Sequence, residues 1–128
     1  MQIITDLGGI SRVQFSGIRQ MLSQRISQLE LREGEALADV GAFFVVQPGD
    51  TISDLEKASG CPIVTDLFGN EYYGSPDFAP SFEWLEYHQE QQCFEIAFMM
   101  TDDYFVAVFV PDDPGIDPEL LRFCREYS

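Results

Sequence analysis

Phe15, Ile18, Leu22, Ile26 and Leu29 recur at helical spacing and fall within a stripe about 80° wide on a 3.6-residue helix. The spacing predicts a helix over 16–32, starting at Ser11 or Ser16. Arg12 and Arg19 flank one side of its stripe and Arg25 and Arg32 the other, while Gln20, Ser23, Gln24, Ser27 and Gln28 form an uncharged polar face. Long Arg stems cover the rim of a core while their heads pair with acids elsewhere. An Arg clamp for an anionic ligand is the functional counterpart. The pattern changes to a strand over 41–47, then a Pro48-Gly49-Asp50 turn and a short helix capped by Thr51 or Ser53 and closed by Gly60.

The clearest hairpin is 93–101 and 104–110, with Asp102-Asp103 as its turn. On its first strand Phe94, Ile96, Phe98 and Met100 share one face, and Glu95, Ala97, Met99 and Thr101 the other. The second strand is apolar on both faces. A sheet wetted on one side alternates, so this one is expected to be covered on both, by helices or by a partner. Between 82 and 89 the periodicity is ambiguous: Glu83, Glu86 and Glu90 share a helical face beside Phe82 and Leu85, yet Phe82 and Trp84 also suit a strand. A closing helix over 117–127 is signalled by Asp117 as N-cap, Pro118 at the first position, Glu119 in the first turn and a Leu120, Leu121, Cys124, Tyr127 stripe. Arg122 and Arg125 sit near its C-terminal end. Together these elements predict an α+β domain over 1–128: an antiparallel sheet of 41–47, 93–101 and 104–110, packed by the N-terminal and C-terminal helices.

Composition narrows the function. The chain has 128 residues, 45% apolar and 23% charged, which is the range of one soluble domain. Its 22 acids against seven Lys and Arg give a net charge of −15, which argues against unassisted binding to nucleic acid or anionic membranes. The charge is uneven, since residues 58–121 hold thirteen acids and no Lys or Arg. A globule of this mass exposes about 6,900 Å², roughly 460 Å² per net charge, against about 100 Å² for duplex DNA. The acids are therefore too dilute to imitate a duplex and are better suited to attracting a basic protein surface.

No apolar run approaches a membrane span and no basic leader opens the chain, which points to the cytosol. Cys61, Cys93 and Cys124 are odd in number and form no CxxC pair, as expected of free thiols. Catalytic signatures are missing: His88 is the one histidine, no nucleophile elbow or Gly-rich phosphate loop is present, and neither metal nor cofactor is expected. Asp112-Asp113-Pro114-Gly115 reads as a turn, Asp117 as a cap and Glu119 as a first-turn acid.

Two resemblances add to this. Val45 to Gly60 resembles the start of a LysM repeat over sixteen residues. Cys61-Pro62-Ile63-Val64 and an aromatic loop then replace the second LysM helix, and a strand, turn and capped helix accounts for the shared letters. Gly74-Ser75-Pro76-Asp77-Phe78-Ala79-Pro80-Ser81-Phe82-Glu83, the hairpin up to Pro111 and Asp117-Pro118-Glu119-Leu120-Leu121 resemble small uncharacterised accessory proteins of bacterial plasmids, integrative elements and phages. That resemblance implies a protein that acts by binding, some of its class blocking host defences or neutralising toxins, and it carries no catalytic residues.

The expectation is a non-catalytic protein-binding module whose Glu83, Glu86, Glu90, Asp102, Asp103, Asp112 and Asp113 meet a basic partner. The alternative is a small ligand-binding protein or enzyme using the aromatic loop 66–88, with Tyr72, Tyr73, Trp84 and His88 around a pocket. A homodimer through the second sheet face is a third.

Overall fold

The computed structural model describes residues 1–29, 33–59, 64–65, 79–80, 82–101 and 104–128. In chain order these form β1 (Gln2–Ile4), a 3-10 helix (Leu7–Arg12), α1 (Ser16–Ser27), α2 (Leu37–Val40), β2 (Gly41–Val45) and α3 (Ile52–Ser59). There follow β3 (Val64–Thr65), β4 (Ala79–Pro80), β5 (Trp84–His88), β6 (Cys93–Thr101), β7 (Tyr104–Pro111) and α4 (Pro118–Tyr127).

β1, β2, β7, β6 and β5 make one five-stranded sheet in that order, while β3 and β4 pair separately. The fold is α+β, but the sheet is mixed: β2 runs parallel to β7 and the other pairs are antiparallel. This corrects the antiparallel expectation. Alternation with a period of two is the same for both directions, so the pattern reports which faces are buried and not which way a strand runs. The ambiguous stretch at 82–89 resolves as strand β5, which pairs Trp84–His88 with β6.

Both faces are covered by the chain itself. On one side α3 and α4 pack Leu55, Leu120 and Phe123 against Phe94, Ile96, Phe98 and Val108. On the other the 3-10 helix, α1 and α2 pack Ile10, Ile18, Leu22 and Leu37 against Phe43, Val45, Ala107 and Phe109. The second sheet face is thus occupied by α1, where a homodimer interface was one expectation.

Local signals explain most boundaries. Thr51, not Ser53, caps α3: its Oγ1 accepts from the Asp54 amide at 3.3 Å, and Asp54 Oδ2 accepts from the Thr51 amide at 2.8 Å. Asp117 caps α4 by accepting from the Leu120 amide. Gly49 occupies the left-handed region at φ 94°, which the turn before α3 requires. α1 ends at Ser27, and residues 30–32 of the expected helix lie outside the described residues. The Ser27 hydroxyl bonds the Gln24 carbonyl, competing with the helical ladder, and Leu29 keeps its place on the core from a final turn.

Candidate functional site

The strand register builds the site. On the α1 side of the sheet one row of neighbouring residues runs Phe43, Ala107, Ala97, Trp84 across β2, β7, β6 and β5. Two aromatics bracket two alanines. A methyl group in place of a large side chain at both central positions leaves a gap under α1. That gap is a cavity of about 240 Å³, lined by Arg25, Gln28, Leu29, Phe43, Trp84, Glu95, Ala97 and Ala107. Its walls are almost entirely apolar, and α1 stops where the cavity begins.

The adjoining row places Glu86 directly opposite Glu95. Like charges in that position repel, yet Glu95 is only 1% exposed. Arg25 reaches down from α1 and clamps it with two parallel bonds, Nε to Oε2 at 2.8 Å and Nη2 to Oε1 at 2.7 Å. His88 Nε2 lies 2.9 Å from the same Oε1. An ionised carboxylate can only accept, so the His88 nitrogen is the donor. Burial pushes the Glu95 carboxyl up, but the hydrogen bonds and charges of Arg25 and His88 outweigh it and hold it below its ordinary value. The same hydrogen bond to Glu95 raises Arg25.

Glu86, His88 and Glu95 bring one ligand atom each within 4.8 Å of one another. Glu95 already accepts three hydrogen bonds and Arg25 already supplies a positive charge beside it, so a cation here would compete with Arg25. The arrangement is a hydrogen-bonded ion network forming one end of the cavity. The two described thiols are held in the protonated form. Burial, then the Glu95 charge, pushes the Cys93 thiol up to about 12, and burial pushes Cys124 up to about 12. Both are free and buried.

The residues singled out from the sequence divide into groups. Trp84 lines the cavity and is 47% exposed, and His88, partly exposed, stands near Glu86 and hydrogen-bonds the buried Glu95. Tyr72, Tyr73, Asp102, Asp103 and Cys61 lie outside the described residues. Glu83 and Glu86 are exposed on or beside β5. Glu90, Asp112 and Asp113 line a separate polar hollow of about 280 Å³ with Gly17, Gln20, Gln91 and Gln92.

That hollow has a structural explanation. α1 lacks a side-chain cap, and acids at its N-terminus complement the helix dipole. A Cβ on Gly17 would stand 2.0 Å from the Gln91 carbonyl oxygen, so this helix start packs directly on the turn after β5. Asp112 accepts from the Tyr87 hydroxyl at 3.0 Å and from Arg125 Nη2 at 2.9 Å, and Asp113 from the Gly115 amide. The Tyr87 phenol is raised by that bond to Asp112.

Arg25 and Glu95 were not singled out as site residues. The signal was present in Glu95, the one acid in a nine-residue apolar strand expected to be buried on both sides. No helix among the described residues is long and apolar enough to cross a membrane. No protein-family model, curated protein or solved structure matches the chain.

Proposed function

We propose that this chain is a non-catalytic binding protein whose α1-side cavity holds a small, mainly apolar molecule. The observation that carries the reading is the Phe43–Ala107–Ala97–Trp84 row, which leaves an apolar gap next to a self-neutralised ion pair. Protein interiors fill such gaps unless something else does, and an apolar cavity with a few fixed polar groups is the usual form of a ligand site. At about 240 Å³ the space lies below the ordinary range for drug-sized ligands.

Arg25 and Glu95 cancel each other, so a charged ligand group would be left unpaired in a low-dielectric wall. A guanidinium has five N–H donors, and two are taken by Glu95. Nη1 bonds Gln28 only loosely, at 3.4 Å, and Arg25 lines the cavity, which leaves its guanidinium with donor capacity for one neutral acceptor. The ligand class is therefore an uncharged hydrocarbon or aromatic body with one hydroxyl or carbonyl.

Trp84 is the only tryptophan in the chain, so its emission reports on the cavity directly. A matched series of 2-cyclohexylethanol, cyclohexaneacetate and 2-cyclohexylethylammonium, none of which absorbs with Trp, separates the head groups. The alcohol is expected to shift Trp84 emission saturably while the two ions do so at least about tenfold more weakly. Equal binding of all three, or no response to the alcohol, contradicts the reading.

A further inference from the structure

We propose that β5 is a docking edge at which an extended basic segment of a partner protein adds as a further strand beyond the five-stranded sheet. It shares Trp84 with the cavity but rests on the β5 edge and its glutamates, not on a bound small molecule.

Among the described residues β5 has β6 as its one neighbour, and no strand among them pairs with the other side of its backbone. Exposed edges of this kind are templates for strand addition and are normally blunted by lysine, proline or a covering element. β5 has none of the first two, and carries instead Trp84 at 47% exposure and Tyr87 at 38%. Glu83, Glu86 and Glu90 are exposed on or beside it and enter no ion pair among the described residues.

Those charges select the occupant. Self-pairing of β5 with a second copy would set this glutamate-rich edge against itself, and like charges across a strand pair repel. A segment bearing Lys or Arg at alternate positions instead meets Glu86 and can lay a cation on the face of Trp84. Nothing nearby in sequence competes, because residues 58–121 hold no Lys or Arg. The net charge of −15 also speeds encounter with a cationic partner.

The test uses a fluorescein-labelled ten-residue peptide of alternating Lys and Val, followed by anisotropy at physiological salt with the full-length chain. Three comparisons accompany it: a Glu83→Gln/Glu86→Gln variant, an Asp6→Asn/Asp39→Asn variant that removes equal charge beside β1 and β2 at the opposite side of the sheet, and the same peptide N-methylated on alternate amides. The peptide is expected to bind, the β5 variant to bind about tenfold more weakly, the remote variant to match the parent, and the N-methylated peptide to lose binding. The proposal is overturned if the peptide does not bind, if the two variants weaken it equally, or if the N-methylated peptide binds as well as its parent, since each outcome removes strand addition at this edge.

Discussion

The two faces of the sheet are built from alternate residues of the same strands, yet they do different things. Under α3 and α4, β6 presents Phe94, Ile96 and Phe98, and these interlock with Phe123 and Leu120 in a continuous apolar layer. Phe82 adds edge-on contacts to Phe98, Phe123 and Tyr127. Under α1, the same strand presents Cys93, Glu95 and Ala97: a small residue, a buried charge and another small residue. The two faces differ in filling: one is packed throughout by aromatic and aliphatic side chains, while the other sets a buried ion pair and a cavity beside its own core of Phe43, Phe109, Ile18 and Leu22.

Substitutions can break that comparison at graded cost. The largest loss is expected on the aromatic face, where Phe98→Ala or Phe123→Ala, each fully buried, should cost about 3–5 kcal/mol in a denaturant titration. Next comes Arg25→Met, which leaves the Glu95 carboxylate buried and without its main partner. A loss of about 3 kcal/mol near neutral pH is expected.

The ion network also has a pH signature. Glu95 is held below its ordinary pKa in the fold. Its contribution is therefore fully present above the ordinary carboxylate range and is lost as pH falls through that range to the folded value. In Arg25→Met the main lowering influence is gone and burial acts in the opposite direction, so destabilisation by Glu95 should ease, not grow, on mild acidification. Denaturation midpoints followed from neutral to acid pH check both signs. Parallel curves for parent and variant would mean that Glu95 is not the titrating group.

Smaller effects belong to the cavity. Ala107→Leu should change stability by no more than about 1 kcal/mol because it grows into empty space, whereas the same change in a filled core costs about 1–3 kcal/mol. Least of all, Glu83→Gln/Glu86→Gln on exposed β5 should stay within about 0.5 kcal/mol, with its effect confined to peptide binding.

Much of this architecture is legible in the sequence. Two distinct faces marked β6, a continuous apolar run marked β7 and with it a doubly covered sheet, and Asp117-Pro118-Glu119 marked the start of α4 within a residue. The parallel pairing of β2 with β7 was not legible, because direction depends on a crossover between segments far apart in sequence. The site was harder still. Ala97 and Ala107 look like ordinary strand residues until the register sets them side by side, and Arg25 and Glu95 are seventy positions apart. Arg25 was placed correctly on the flank of its helical stripe, with its head expected to find an acid, but the stripe alone cannot say which acid it meets.

The accessible surface of 7380 Å² spreads the net charge to about 490 Å² per charge, close to the value expected from mass and far more dilute than duplex DNA. Among the described residues Glu95 is the one acid drawn fully inside. It turns inward at the cavity, which makes the unfilled volume beside it the feature to be tested.

The most direct measurement is the denaturation midpoint of the parent chain and of Ala107→Leu, each with and without 2-cyclohexylethanol in excess. A ligand that binds only the folded state at a hundred times its dissociation constant adds about 2.7 kcal/mol. A gain approaching that size in the parent and none in Ala107→Leu is the expected result. Equal stabilisation of both proteins, or a cost of several kcal/mol for Ala107→Leu itself, as in a filled core, would contradict the account.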